Sequence, residues 1–377
     1  MNQPYGEAKT PAFPLIEMSG SPEERGRQYG RAAGDRIRRC AEIYLAAFAA
    51  QGVSWDRARE LARGFAARIE AYDPQAIGEI RGIAAGAELP FEDIVALNAR
   101  TELLYGASKG PPKKKKQDNE PDGCTGAIVH ASKTANGHTL HGQNWDWRDE
   151  CADVGVVLRI APENGPRILC FVEAGMLARA GLNEHGVAIT GNFLACEQDG
   201  TRDGVPIPLI RRQVLMADGL ALGIQAVTHA PRAFSNNLMI SHAGGEAVDL
   251  EGTPEECFWI MMGEDGLLVH ANHFISDAAR AKVVDQHLPM SPDTIYRDIR
   301  VRRHLAKHAG KITKDVMIEA FQDRYGWPRS VLRFPTQGMG GRISSTVATI
   351  IMDTTDKRMW IAPRPYGVHE FTEYRLD

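Results

Sequence analysis

The sequence has no apolar run approaching the ~18 consecutive residues that a membrane-crossing helix needs, so no membrane span is expected. It also has little net charge. Forty-four Lys and Arg stand against 48 Asp and Glu, a balance of −4, which leaves no basic excess to hold nucleic acid or an anionic bilayer. Cysteine is sparse: Cys40, Cys124, Cys151, Cys170, Cys196 and Cys257 are widely spaced, and none forms a Cys-x-x-Cys pair. That argues against a disulfide framework and a structural zinc site and fits reduced thiols. The first residues, Met-Asn-Gln-Pro-Tyr-Gly-Glu, contain no apolar signal segment, and the last three, Arg-Leu-Asp, are no peroxisomal address. A cytoplasmic protein is the expectation, with no nucleic-acid or membrane partner.

What is present is ordinary globular composition, 43% hydrophobic and 24% charged, enough for a sizeable core. A first strand is expected near 13–18. Ser21-Pro22-Glu23-Glu24 is a capping box with proline at the first helical position, so a helix starts there. Gly26, Gly30 and Gly34 share one face of that helix, a costly arrangement that predicts close packing against another backbone. Helical periodicity continues over 41–71, resumes after Pro74 over 75–86, and again over 90–105. Residues 108–121, SKGPPKKKKQDNEP, hold four consecutive lysines and three prolines without a large apolar side chain, which predicts a solvated, mobile loop.

Beyond this stretch the pattern turns β-rich, with strand-like runs at 154–160, 167–172, 187–192, 237–241, 247–250, 257–262, 267–270, 345–352 and 358–362. Helical patterns intervene at 206–217, 220–228, 292–307 and 313–323, the last capped by Thr313. Strands in hairpins with helices in consecutive pairs indicate antiparallel sheets covered by helices.

Two polar clusters stand out, Asp122-Gly123-Cys124-Thr125 and Gly142-Gln143-Asn144-Trp145-Asp146. The dipeptide Asn136-Gly137 lies between them and signals a type I′ hairpin turn. A turn centred there sets Cys124 opposite Asp149 and Ala127 opposite Asp146, so thiol and carboxylate share one end of the hairpin, roughly 10 Å apart. A glycine before such a cysteine, at the end of a loop, suggests a chain that cuts itself. Cleavage exposes the α-amine of Cys124, whose pKa of roughly 7.7–8 suits it to act as base for its own thiol.

These clusters, with GEIRGIAAGA at 78–87, DIVALNARTELLYG at 93–106, Gly204-Val205-Pro206 and VHANH at 269–273, run in order across most of the chain. Together they resemble the acyl-coenzyme A:6-aminopenicillanic acid acyltransferase (isopenicillin N acyltransferase-like) family of N-terminal-nucleophile hydrolases. The resemblance implies an α+β fold, the four-layer αββα sandwich. It implies cleavage between Gly123 and Cys124, with the helical fragment 1–123 and the β-rich fragment 124–377 remaining one globular unit. It makes Cys124 the nucleophile, Asp146 the carboxylate that holds the freed amine, and Asn272 an oxyanion donor, with the backbone N–H of Asp146 as a second donor. An arginine near the last strands is also implied, and Arg342 is the candidate. Two features depart from the family pattern: the loop before Asp122 is longer and more basic, and Gly126 stands where a hydroxyl residue often assists maturation.

The expected activity is hydrolysis of a small N-acyl amine through a Cys124 acyl-enzyme. Transfer of the acyl group to an amine is the alternative, and an unprocessed, non-catalytic scaffold is the third reading. No glycine-rich phosphate loop for coenzyme A is present, and no cofactor is expected. His138/His141 and His270/His273 have metal-like spacing, but on strands such pairs point to opposite faces, so no metal is expected. Trp145 and Trp147 wall the pocket or cap the core. The partner is a small-molecule amide; the oligomeric state is left open.

Overall fold

The computed structural model describes residues 10–106, 123–337, 342–367 and 370–377. Asp122 and the lysine-rich stretch at 108–121 lie outside the described residues. The chain opens with β1 (Leu15–Gly20) and then α1 (Pro22–Ala50), α2 (Trp55–Tyr72), α3 (Pro74–Ala87), α4 (Phe91–Asn98) and α5 (Arg100–Gly106). After Cys124 come β2 (Thr125–Val129), β3 (Leu140–Arg148), β4 (Gly155–Pro162), β5 (Ile168–Glu173), β6 (Ala180–Asn183) and β7 (Val187–Phe193). Helices α6 (Ile207–Leu215) and α7 (Leu220–Thr228) lead into β8 (Asn236–His242), β9 (Ala247–Gly252), β10 (Cys257–Met261) and β11 (Leu267–His270). The remainder is α8 (Asp277–Lys282), α9 (Thr294–Lys307), α10 (Lys314–Phe321), β12 (Thr336–Gln337), β13 (Ile343–Asp353), β14 (Arg358–Pro363) and β15 (Thr372–Arg375).

The helix starts follow from local chemistry. At α1 the Glu24 carboxylate accepts from the Ser21 N–H at 3.0 Å and its hydroxyl at 2.7 Å, satisfying groups the helix itself leaves open. Asp73 accepts from the N–H groups of Gln75 and Ala76, with Pro74 at the first position of α3. The periodicity over 41–71 is interrupted where Gly52 takes φ +75° and Ser54 caps a new helix. The run at 90–105 likewise divides at Ala99.

The glycine face of α1 crosses α3 backbone to backbone. A Cβ on Gly26 would lie 2.1 Å from the Glu79 carbonyl oxygen, and one on Gly30 would lie 2.4 Å from that of Ile83. Gly82 and Gly86 of α3 return the contact, facing Glu23 O at 2.2 Å and Arg27 O at 2.4 Å. Gly34 takes no part: its nearest neighbour is the flexible Arg38 side chain at 3.4 Å.

The strands form two sheets. One runs β1-β4-β5-β6-β7-β8-β9-β10, antiparallel except for the β1–β4 pair. The other runs β11-β2-β3-β13-β14-β15, with β12 pairing β13. They face each other: His141 of β3 reaches Ser241 of β8 at 2.9 Å and Thr190 of β7 at 2.8 Å. Helices α1, α6 and α7 pack on the outer face of the first sheet, α9 and α10 on that of the second. The order of layers is therefore αββα, as expected. Each helical layer buries an apolar face; Val301, Leu305, Met317 and Phe321 cover Ala127, Val129, Leu140 and Ile351.

The hairpin register differs from the expectation. β2 and β3 pair Thr125 with Asn144 and Val129 with Leu140, which moves the partner of Cys124 from Asp149 to Trp145. Asn136-Gly137 does not centre a two-residue turn. Gly137 has φ +72°, but Asn136 has no positive φ, as a type I′ turn would require. The ten residues between the strands dock instead on the start of α10, with Ala135 N–H donating to Ile312 O at 2.9 Å.

The α1–α3 crossing predicts opposite responses to adding one methyl group. Gly26→Ala forces two backbones apart and should cost about 2 kcal/mol or more. Gly34→Ala should be neutral or stabilising by up to about 1 kcal/mol. Urea unfolding of the two variants checks this; equal effects would show that the helices do not touch at Gly26.

Candidate active site

Three strands converge at Cys124. Continuing the β2–β3 register one step past Trp145 sets Asp146 across from Gly123, and continuing the β2–β11 register sets Asn272 level with Cys124. On the far side of β3, Asp146 pairs with Thr346, and a bulge follows at once between Thr346 and Ala348. Such bulges re-aim side chains beside a site. Cys124 is 1% exposed, and its thiol lies 3.9 Å from the Asp146 carbonyl oxygen.

The Asp146 carboxylate is fully buried. Its Oδ1 accepts from the Thr346 hydroxyl at 2.7 Å, and its Oδ2 lies 3.2 Å from Nε of Arg333, an ion pair off the hydrogen-bond axis. Arg333 packs flat on Gly123: a Cβ there would fall 2.3 Å from its guanidinium carbon. A side chain at position 123 would therefore have to displace a guanidinium more than 200 residues away in sequence.

The centre of the cluster is Arg297, from the first turn of α9, with a fully buried guanidinium. Its Nη1 donates to the Gly123 carbonyl at 2.6 Å, the Cys124 carbonyl at 2.7 Å and Thr125 Oγ1 at 2.9 Å. Its Nη2 donates to Asn272 Oδ1 at 2.9 Å, and its Nε to Asp293 at 2.9 Å. Burial and the neighbouring Arg333 work against the charge of Arg297, while Asp293 and Asp146 sustain it. Burial alone would raise Asp293, but Arg333 and Arg297 outweigh it and hold that carboxyl at about 2.

Asn272 is oriented by this network. With Oδ1 held by Arg297, its Nδ2 donates to Phe193 O at 2.9 Å, and its backbone N–H donates to Thr294 Oγ1 at 2.7 Å. Arg342 stands apart, with its guanidinium 4.3 Å from the Trp147 ring centroid; the guanidinium against Asp146 is that of Arg333. Gly126 is required by packing, since a Cβ would meet Met239 Sδ at 2.6 Å. Trp145 and Trp147 are both buried in the main core, and Trp147 Nε1 donates to Tyr44 Oη at 2.9 Å.

The histidine pairs divide among different partners. His138 and His141 face Asp353 and the Ser241–Thr190 hydroxyls respectively. The rings of His270 and His273, expected on opposite faces, lie 6.5 Å apart because β11 ends at His270. His138, Asp353 and Asp356 bring metal-type ligand atoms within 4.8 Å of one another. There His138 pairs with Asp353, whose Oδ1 accepts from the N–H groups of Thr355 and Asp356, so the group closes the β13–β14 turn.

Sequence reasoning missed Arg297, Asp293, Thr346 and Arg333. Arg297 left a signal. The buried positions of α9 are Thr294, Arg297, Val301 and Leu305, so an arginine occupies the apolar stripe of an amphipathic helix, with Asp293 four residues before it. A guanidinium in that position must be paired and hydrogen-bonded.

Comparison with known proteins gives the family. The family model for acyl-coenzyme A:6-aminopenicillanic acid acyl-transferase matches residues 132–364, well over half of the chain. The chain belongs to that family. The match takes in Asp146, Asn272 and Arg297 and begins after Cys124. The acyl-coenzyme A:6-aminopenicillanic-acid-acyltransferase 40 kDa form of Emericella nidulans is 28% identical over 346 residues, spanning 91% of this chain and 90% of that protein. Among solved structures, a mutant of conjugated bile acid hydrolase from Clostridium perfringens aligns with TM-score 0.48 and 14% identity over 67% of this chain and 92% of its own. Penicillin V acylase from Agrobacterium tumefaciens aligns with TM-score 0.45 and 13% identity over 67% and 86%. The layer order described above rests on this chain's own strand pairing.

The Asp293–arginine cluster carries a pH signature. Its folded-state pKa lies below the usual carboxylate value, so it stabilises the fold above about pH 4, and that contribution is lost as pH falls towards 2. The stability gap between wild type and Asp293→Asn should narrow by about 2 kcal/mol over that window. Denaturant unfolding at a series of pH values measures the gap; a constant one would show that Asp293 is not held low by Arg297 and Arg333.

Proposed function

We propose that the chain cuts itself between Gly123 and Cys124 and then acts as an N-terminal-nucleophile cysteine amidohydrolase on a small N-acyl amine. The observation that carries this reading is the 2.6 Å hydrogen bond from Arg297 Nη1 to the Gly123 carbonyl, the carbonyl that the adjacent Cys124 thiol would attack. A buried cation on that oxygen stabilises the negative charge that develops when sulfur adds to the carbon. The sulfur–carbon bond forms, the carbon–nitrogen bond to Cys124 breaks, and the nitrogen leaves as the α-amine. Water then hydrolyses the thioester, leaving a Gly123 carboxylate and a free Cys124 thiol.

In the mature enzyme the α-amine takes the thiol proton, the thiolate attacks the substrate carbonyl, and the protonated amine returns its proton to the leaving nitrogen. Asp146, across from Gly123 and buried, supplies negative charge to hold the ammonium. Asn272, level with Cys124 and oriented by Arg297, gives one amide N–H to the Phe193 carbonyl and offers the other to the oxyanion. Water releases the acid. Arg342, over the Trp147 ring, acts through packing at the site wall. All six cysteines are free thiols, which fits a reducing cytoplasmic setting.

The fragments 1–123 and 124–377 stay associated because buried polar contacts join them. Arg100 donates to Glu173 at 2.7 Å, Arg25 and Arg212 share Glu79 at 3.0 Å, and β1 is zipped along β4. Acyl transfer to an amine is the second reading. It is favoured by the name of the Emericella nidulans relative, an acyl-coenzyme A:6-aminopenicillanic-acid-acyltransferase.

On a denaturing gel the wild type should give pieces 1–123 and 124–377, which co-elute as one body under native conditions. Cys124→Ala should stay whole, and Arg297→Met should cut at least about 100-fold more slowly if it folds. Two pieces from Cys124→Ala would sink the self-cleavage reading. Partitioning decides the second step: with a cleaved substrate and rising hydroxylamine, acid should prevail over hydroxamate at millimolar amine. Predominant hydroxamate would make the enzyme a transferase.

A further inference from the structure

One cavity beside the candidate site is built around a buried guanidinium that the mechanism above does not use. Its enclosed volume is about 40 Å³, and it is walled by Gly191, Asn192 and Phe193 of β7 on one side and by Ile207, Pro208 and Arg211 of α6 on another. The β7 wall is shared with the site: the Phe193 carbonyl accepts from Asn272. Arg211 itself is near enough to the Cys124 thiol for the two to interact electrostatically.

Arginines at this depth are normally satisfied, and the neighbours of Arg211 show how. Arg212 forks onto Glu79 and donates to Leu177 O; Arg100 forks onto Glu173. Arg179, in the same cavity, lies 3.8 Å from the Trp145 ring centroid. Arg211 is only 8% exposed, yet it makes no hydrogen bond and no ion pair among the described residues, and its Nε is unsatisfied. Burial, Arg179 and Arg100 all press against its charge, lowering it to about 9.

The carboxylate felt by Arg211, Glu102, does not neutralise it. Its Oε1 is taken by the Ile207 N–H at 3.0 Å, burial lifts it to about 7, and it forms no ion pair with Arg211 among the described residues. The fold nevertheless makes room for the guanidinium, because a Cβ on Gly191 would lie 2.6 Å from Arg211 Nη2. A buried, unpaired fork of N–H donors facing a cavity is complementary to a planar anion with two oxygens.

We propose that this cavity is the subsite for a carboxylate carried by the amide substrate, with Arg211 as its principal ligand, so that the enzyme acts on acidic amides such as N-acyl amino acids. The proposal rests on the reading of Cys124 as the acylated nucleophile. Met176, Phe193, Ile207 and Pro208 line the same cavity and suit an apolar stem ending in that carboxylate. An arriving carboxylate pairs Arg211 where only water could otherwise do so, which makes the contact selective: a neutral analogue leaves the buried cation unsatisfied.

The test compares matched substrates on the matured wild-type enzyme. One arm pairs N-phenylacetylglycine with its glycinamide analogue, setting the carboxylate on the amine side. The other pairs a glutaryl amide with its neutral glutaramide, setting it on the acyl side. In one arm the acidic member should be favoured by about 100-fold in kcat/KM. Arg211→Leu should collapse that ratio to within about 3-fold, mainly through KM, and Arg211→Lys should retain part of it, since a point charge survives without the fork. Equal kcat/KM for acidic and neutral members in both arms overturns the subsite, and so does a ratio unchanged in Arg211→Leu. Should Arg211→Leu fail to fold, the wild-type ratios and Arg211→Lys decide. Intact mass of the 124–377 fragment separates the two readings. Acyl adducts formed equally from acidic and neutral substrates overturn the subsite alone. Absence of any adduct at Cys124, even from an activated neutral thioester, overturns the nucleophile reading and the substrate assignment with it.

Discussion

Burying the Arg297 guanidinium is the constraint on which the rest of the site depends. Taking an unpaired cation out of water costs several kcal/mol, and the cost is offset only if the donors find acceptors in good geometry. Here they do, and the acceptors come from three separate parts of the chain: Gly123, Cys124 and Thr125 at the start of β2, Asn272 after β11, and Asp293 at the head of α9. The site is therefore not a set of independently placed side chains. Moving α9 by a fraction of an ångström would strain all of these bonds at once. The second cation, Arg333, bridges Asp293 and Asp146, and a side chain at Gly123 would have to displace it.

Between the sheets the core is polar where it adjoins this cluster, and β3 and β11, which lead to Asp146 and Asn272, are tied into it. Gln143 of β3 donates to Gly191 O and Asn192; Asn192 donates to Asn237 and to His270 O; Asn237 donates to Asp249. His270 contacts Glu251 at 2.8 Å, and Glu251 accepts from the N–H groups of Ile275 and Ser276 just past Asn272. Burial drives His270 down, but Asp249 and Glu251 outweigh it and lift it to about 9, whereas His141, facing only hydroxyls, is driven down to about 3 by burial. Two histidines one strand apart thus hold opposite charge states at neutral pH. The charged one anchors the segment carrying Asn272; the neutral one spaces the sheets.

Much of the fold was legible because its signals are local. The capping box before α1, proline at the start of α3, Thr313 before α10 and the short apolar run of β11 each act within a few residues, and α7 matched its expected bounds at both ends. The glycine stripe of α1 was half right: Gly26 and Gly30 meet α3, while Gly34 lies beyond the crossing. The hairpin register failed because Asn-Gly was weighed without the docking of residues 130–139 on Ile312. The slip was by an even number of residues, so every side chain kept its face and only the separation along the strand was misjudged. In the candidate site, Cys124, Asp146 and Asn272 were expected from motifs, and the structure brings the three positions to one strand end. Arg297 was passed over although it stands on the apolar stripe of α9, and Arg333 left no trace, because its partner Asp146 lies about 190 residues away.

The same long-range geometry explains how a chain of this kind can tolerate a break at residue 123. Helices α1 to α5 are joined to the sheets by a core that does not pass through the β2 start. Tyr44 binds Glu173, Trp147 donates to Tyr44, Asn98 is clamped between Gly175 O and Leu177 N–H, and Tyr374 donates to Phe13 O near the opposite end of the chain. Each of these joins residues before 107 to residues after 123, and each is buried. Losing one covalent link changes the closure entropy only modestly, whereas separating the pieces would expose all of these groups together. A free amine could then appear at Cys124 while the Arg297 cluster keeps its acceptors on Cys124, Thr125, Asn272 and Asp293, all on the far side of that break from Gly123.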